Sequence, residues 1–129
     1  MNLVHVVIGL VLVQFLYFGI AVGSARGKFG VKAPATGGNE VFERYFRVQM
    51  NTLELLVILV PSLLLFAHYV NPVWAAGLGA VYLIGRIIYF VTYVKDPATR
   101  SLGFALSMLP TLALLVGGLG GAILAVVRG

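Results

Sequence analysis

Four long apolar segments, separated by short polar connections, most constrain the fold of this chain. They cover about residues 3–25, 42–69, 73–94 and 102–127. Each is close to the roughly 20 residues that a helix needs to cross the hydrocarbon core of a bilayer. Only 10% of the residues are charged, whereas soluble domains carry roughly 25%. The sequence therefore predicts an all-α membrane protein, a four-transmembrane-helix bundle that forms a single domain over residues 1–129.

The distribution of basic residues predicts the orientation of these helices. Lys and Arg cluster around the first connection and recur in the third, whereas the second connection contains none. The positive-inside rule then places the first and third connections in the cytoplasm. Arg128 is the one exception. Because the chain is short at both ends and shows no retrieval signal, a bacterial inner membrane is expected rather than the endoplasmic reticulum.

The composition argues against disulfides, metal sites, a cysteine nucleophile and a nucleic-acid partner. The chain has no cysteine, so it can form neither a disulfide nor a thiolate metal site, and it has no cysteine nucleophile. His5 and His68 lack a third ligand at a suitable spacing, so no metal site is predicted. The net charge of +5 comes from basic residues that lie between apolar runs. It therefore reflects membrane topology, and no nucleic-acid partner is expected.

A stripe of polar side chains opens the second apolar segment. Within the run from Phe42 to Glu54, the polar positions 44, 47, 51 and 54 recur at helical spacings and share one face. They are Arg44, Arg47, Asn51 and Glu54. In lipid each such group costs on the order of several kcal/mol unless protein or ligand satisfies it. The stripe therefore predicts a place that holds a polar, charged ligand against the membrane.

A second stripe lies in the third segment and approaches the same membrane face. Its members, again on one helical face, are Tyr82, Arg86, Tyr89 and Tyr93, and Arg100 follows beyond the third connection. These residues have two interpretations. They could be structural, with interfacial anchors and an ion pair between Arg86 and Glu54. Alternatively, the excess of arginine over glutamate favours a small anionic, peptide-like ligand whose carboxylates accept forked bonds from Arg.

The run FERYFRVQMNTLE, followed by the tyrosine-rich third segment and a later arginine, resembles a known family. This family is the membrane-associated proteins in eicosanoid and glutathione metabolism (MAPEG). Its members include microsomal glutathione S-transferases, leukotriene C4 synthase and the five-lipoxygenase-activating protein. The resemblance covers nearly the whole chain in length, order of segments and placement of connections. It implies a homotrimer in which each glutathione lies between neighbouring subunits.

The resemblance also implies roles for individual residues. It assigns glutathione binding to seven positions, which are Arg26, Arg47, Gln49, Asn51, Glu54, Tyr89 and Tyr93. The arginine matching Arg100 activates the thiol of glutathione, while Arg44 and Arg86 are left with structural roles. Two departures limit what the resemblance implies. Leu55 stands where a tyrosine is common, which removes one hydroxyl, and Gly27 stands where leukotriene C4 synthase has a second arginine, which argues against leukotriene synthesis.

These inferences predict a membrane-bound glutathione transferase that uses glutathione as co-substrate and requires no metal. The thiolate would attack a lipophilic electrophile that arrives from membrane lipid through a groove between the first and fourth segments, or would reduce a lipid hydroperoxide as a peroxidase. A non-catalytic lipid-binding or scaffold member of the same family is the alternative. A small four-span multidrug transporter is a remote one, because the first segment lacks the central acidic residue such proteins use.

Overall fold

A computed structural model describes residues 1–129. Four long α-helices and one short 3-10 turn make up the chain. They are α1 (Asn2–Phe29), α2 (Glu40–Tyr69), α3 (Pro72–Lys95), the turn Pro97–Thr99 and α4 (Ser101–Arg128). All four helices are long and apolar enough to cross a membrane. The predicted four-helix membrane fold is therefore confirmed, and α1 continues about one turn beyond its predicted end.

The ends of the helices follow from local capping chemistry. The Asn39 side chain accepts a hydrogen bond from the Phe42 N–H (3.0 Å) and thereby caps α2. Asn71 does the same for α3, where its side chain accepts from two backbone N–H groups and Pro72 occupies the first helical position. Both patterns satisfy donors that a helix start leaves open. Gly30 ends α1 with a φ of 70°, a left-handed conformation that glycine adopts without a steric penalty.

The helices pack so that α1 contacts α2 and α3, while α4 contacts α2 and α3 on the other side. The main core cluster draws on all four helices, with Val11, Leu59, Tyr82 and Leu114 fully buried. Large apolar side chains also cover the outer surface of the bundle, particularly along α1 and α4. An apolar exterior of this extent suits a protein whose solvent is lipid.

Close approach of α3 and α4 depends on two glycines. A Cβ built on Gly85 would lie 2.7 Å from the Leu106 carbonyl carbon, and one built on Gly103 would lie 2.5 Å from the Tyr89 Cα. Both contacts are with backbone, which cannot move aside as the end of a side chain can. Small residues allow helices to approach closely in membranes. Gly103 therefore fixes the separation of the two helices directly beside Tyr89.

The first and third connections lie at the same end of the bundle. Arg44, near the start of α2, donates from Nη1 to the carbonyl oxygens of Val94 and Lys95 at the end of α3, each at 3.2 Å. These are carbonyls that the helix itself leaves without partners. Arg44 thus ties the start of α2 to the end of α3, where the polar stripe of α2 begins and that of α3 ends.

Candidate functional site

A cleft of about 590 Å³ opens between α2, α3 and the start of α4. We call it the arginine cleft. It is lined by Arg47, Asn51, Tyr89, Tyr93, Arg100, Ser101 and Phe104. Five of these were predicted from the sequence as ligand-binding or thiol-activating residues. Two residues of each polar stripe, together with Arg100, therefore meet at one cavity within a single chain.

Helical geometry accounts for the placement of the lining residues. Arg47 and Asn51 lie one turn apart on α2, and Tyr89 and Tyr93 lie one turn apart on α3. The two tyrosine rings stack with centroids 5.3 Å apart and an interplanar angle of 17°. Arg47 and Arg100 are exposed, so the cleft has two solvated guanidinium groups and a wall of aromatic rings and amide.

The short turn before α4 positions Arg100. The Asp96 side chain accepts a hydrogen bond from the Ala98 N–H at 3.0 Å. The Thr99 hydroxyl is placed to donate to the carbonyl oxygens of Thr92 (3.1 Å) and Asp96 (2.8 Å). This network holds the connection against the end of α3. Arg100 follows immediately, directly before the first residue of α4, and lines the same cavity as Tyr89 and Tyr93.

Arg86 lies behind the cleft wall and is fully buried, with 0% of its surface exposed. Its Nε donates to Ser107 Oγ at 2.8 Å, and its Nη1 donates to Asn51 Oδ1 at 2.9 Å and Thr52 Oγ1 at 3.0 Å. The ion pair with Glu54 that the sequence suggested is not formed. Glu54 is exposed on α2, whereas the donors of Arg86 turn toward neutral oxygens inside the bundle.

A second cleft of about 580 Å³ adjoins the first and shares Arg47 and Tyr93 with it. Its rim carries Glu40 and Glu43 together with Arg44. This neighbouring space has both signs of charge, so the two clefts together could receive a ligand that bears an ammonium group as well as carboxylates.

Three of the predicted binding residues lie away from the arginine cleft. Arg26 donates from Nη1 to the Ala35 carbonyl oxygen at 2.6 Å, and its guanidinium lies 4.9 Å from the centre of the Phe42 ring. Gln49 faces α1, where its Nε2 would lie 3.2 Å from a Cβ built on Gly19. Glu54 is exposed. In these positions, none of the three side chains would contact a ligand bound in the arginine cleft of its own chain.

An apolar cleft of about 540 Å³ runs between α1 and α3 and includes Leu10, Ile87 and Val91. The sequence suggested a groove between the first and fourth segments, but α1 and α4 do not form a packed pair within the chain. Gln14 lines the apolar cleft, and its Nε2 donates to the Leu83 carbonyl oxygen at 3.0 Å. Gln14 thus makes a packing hydrogen bond between α1 and α3 at the border of this groove.

Sequence reasoning missed the polar residues that support the site from behind. Ser107 and Thr52 hold Arg86, and neither was singled out. A usable signal was present for α4, because Ser107 and Thr111 are two hydroxyls one turn apart on an otherwise apolar helix. Both also bond back to carbonyls of the preceding turn, as the short distances to Gly103 and Ser107 oxygens show (2.7 and 2.8 Å).

Comparison with known proteins identifies the family to which this chain belongs. The model of the MAPEG family matches residues 4–120. The chain belongs to the MAPEG family. An uncharacterized protein of Synechocystis sp. is 52% identical over 105 residues, which cover 81% of this chain and 77% of that protein. The chain is therefore similar, over most of the length of both proteins, to a protein of a bacterium.

Two further MAPEG relatives have names that describe an activity. Human microsomal glutathione S-transferase 2 is 42% identical over 108 residues, covering 83% of this chain and 74% of that protein. Mouse leukotriene C4 synthase is 36% identical over 84 residues, covering 65% of this chain and 56% of its own length. This MAPEG protein is thus related to glutathione-utilising enzymes.

Proposed function

We propose that the protein is a membrane-bound glutathione transferase that binds glutathione in the arginine cleft. The observation that carries the proposal is the convergence of Arg47, Asn51, Tyr89, Tyr93 and Arg100 on one cavity. Guanidinium groups bind carboxylates through paired hydrogen bonds, and amide and hydroxyl groups supply neutral partners for peptide atoms. Glutathione presents two carboxylates, two amides and an ammonium, which match this set.

Arg100 is the residue assigned to the thiol. A free cysteine thiol has a pKa near 8.5, so only a few per cent is ionised at neutral pH. A guanidinium within hydrogen-bond reach stabilises the thiolate, and a shift of about two pKa units corresponds to roughly 2.7 kcal/mol. Arg stays protonated at all relevant pH values, so Arg100 acts through charge and is not the base. The thiol proton leaves through water at the open mouth of the cleft.

The second substrate is a lipophilic electrophile from the bilayer. The thiolate sulfur attacks an electrophilic carbon, and the leaving group or opened oxygen takes its proton from water. With a lipid hydroperoxide, the same thiolate would attack oxygen. Two glutathione molecules would then be oxidised to the disulfide while the hydroperoxide is reduced to the alcohol and water. The apolar exterior of α1 and α4 supports delivery from the membrane.

A homotrimer would complete the binding site. Arg26 and Gln49 lie toward α1 and the first connection rather than in the arginine cleft of their own chain. If glutathione lies between subunits, as the family resemblance implies, these two side chains and Glu54 would approach it from a neighbouring copy or at the cleft edge. The distribution of Lys and Arg supports a cytoplasmic site, and the similarity to a Synechocystis protein supports a bacterial inner membrane.

Substitution of Arg100 tests the proposal. Arg100→Ala in detergent-purified protein should leave glutathione binding measurable but lower the conjugation rate at neutral pH by about 25-fold, because a thiol pKa that returns from about 6.5 to about 8.5 reduces the thiolate from roughly three quarters to about 3% of the bound glutathione. Arg128→Ala is the matched control, since Arg128 lies at the other end of the same helix. Unchanged turnover in Arg100→Ala would refute its role, and no glutathione binding by the unaltered protein would favour the non-catalytic alternative.

A further inference from the structure

Arg86 carries a buried positive charge without a carboxylate partner. Its hydrogen-bond acceptors are the neutral oxygens of Asn51, Thr52 and Ser107. Its Nη2 is buried and has no hydrogen-bond partner at all. Charges are rarely buried unless they are paired. The stabilising groups here are weaker, namely three dipolar oxygens and the π face of Tyr89, whose ring centre lies 4.3 Å from the guanidinium carbon.

Two of the residues that contact Arg86 also form the wall of the arginine cleft. Asn51 and Tyr89 both line that cavity, and each touches the guanidinium directly. The charge is therefore one side chain away from the cleft along two separate paths. Because the space between is protein rather than water, screening of this charge is weak compared with that of the exposed Arg47 and Arg100.

We propose that Arg86 is a positioning residue that supplies a fixed positive charge behind the cleft and locks Asn51 and Tyr89 toward the ligand. An anionic ligand in the cleft then compensates a cation that the bundle leaves unpaired. This inference rests on the proposed function and concerns the ionisation of glutathione within that site. It gives Arg86 an electrostatic role in addition to the contacts that hold the helices together.

The hydrogen bond to Asn51 has a specific consequence for ligand binding. Arg86 Nη1 occupies the amide oxygen, Oδ1, of Asn51. The NH₂ group of the same amide remains as the free donor, so Asn51 is presented to the cleft as a donor and not as an acceptor. A donor suits a thiolate or carboxylate. Without Arg86 the amide could rotate by a half turn and present its oxygen instead.

The test changes the charge beside Arg86 without altering the cleft. Ser107 is fully buried, bonds to Arg86 Nε and does not line the cavity. Ser107→Asp places a carboxylate next to the guanidinium, whereas Ser107→Asn is the neutral control of nearly equal size. The readout is the ultraviolet absorbance of the thiolate of glutathione bound to each purified variant, titrated against pH.

Ser107→Asp should raise the pKa of the bound thiol by roughly one unit, which is a tenfold loss of thiolate below that pKa. Ser107→Asn should titrate within a few tenths of a unit of the unaltered protein. Equal titration curves for the two folded variants would overturn the electrostatic role. A purely structural contribution would instead lower thermal stability in both without separating their thiol pKa values.

A second variant keeps the inference testable if the Ser107 variants do not fold. Arg86→Met removes the charge at similar volume. The thiol pKa should rise by about one unit in Arg86→Met. A titration of Arg86→Met that matches the unaltered protein would overturn the inference.

The unaltered protein separates this inference from the proposed function. If it binds no glutathione, both ideas fail together. If it binds glutathione with a lowered thiol pKa that does not respond to charge at positions 86 and 107, only the role of Arg86 fails.

Discussion

Gly103→Ala should separate α3 from α4 at the base of the arginine cleft. The added Cβ would lie 2.5 Å from both the Cα and the backbone nitrogen of Tyr89. Ordinary contact begins near 3.4 Å, so the two helices would have to move apart by roughly 1 Å. Neither atom belongs to a flexible side chain. The strain must therefore be relieved by backbone movement that carries Tyr89 and Phe104 with it.

The expected magnitude follows from two opposing terms. Overpacking of a well-packed site typically costs about 1–3 kcal/mol, while alanine gains up to about 1 kcal/mol over glycine in helix propensity. Gly120→Ala is a matched control on the same helix, because nothing lies within 4 Å of a Cβ built there. The control has only the propensity term, so the difference between the two variants should be about 1–3 kcal/mol.

Circular dichroism in detergent, followed during thermal or chemical denaturation, measures this difference. Glutathione conjugation measures the functional consequence. A displacement of about 1 Å at a reacting centre can cost on the order of 100-fold in rate, so Gly103→Ala should lose activity while Gly120→Ala retains it. If Gly103→Ala were as stable and as active as Gly120→Ala, the helix contact would not set the geometry of the cleft.

Two further predictions concern the helix ends. Arg44→Gln removes the hydrogen bonds to the Val94 and Lys95 carbonyls. It should lower the free energy of unfolding by about 1 kcal/mol or more and speed up hydrogen exchange at the end of α3. Unchanged exchange at the end of α3 would contradict this prediction. Asn71→Ala removes the side-chain cap on the Trp74 N–H and should lower the free energy of unfolding, measured by denaturation, by about 0.5–2 kcal/mol. Asn71→Ser keeps a capping oxygen, so its loss of stability should be clearly smaller.

Hydropathy and helical period were sufficient to predict the four helices and the polar faces of α2 and α3. The predicted bounds agree with the structure to within a few residues, because an apolar run of this length in lipid has few alternatives to a helix. Spacing also placed Arg47 with Asn51 and Tyr89 with Tyr93 on shared faces, whereas Glu54 of the α2 stripe turns outward. The convergence of Arg47, Tyr93 and Arg100 on one cleft shows that the faces were assigned to the correct end of the bundle.

The partner of Arg86 could not be predicted in the same way. Spacing placed Arg86 and Glu54 on polar faces and suggested an ion pair, but the rotation of α2 turns Glu54 outward and Asn51 inward. The acceptor on α4, Ser107, carries no charge and was not noticed in the sequence. Spacing along the sequence predicts which residues share a face of one helix. Which residue of a neighbouring helix contacts that face depends on how the helices pack.

The sequence by itself determined that this chain spans a membrane four times and that cationic and hydroxyl groups collect at one end of it. Local chemistry decides these features, because hydropathy, helical period and capping act over a few turns of one segment. Only the tertiary structure decided that Arg86 is buried against neutral oxygens and that Gly103 sets the contact beside Tyr89. Those facts depend on the approach and rotation of separate helices, which distant parts of the chain determine together.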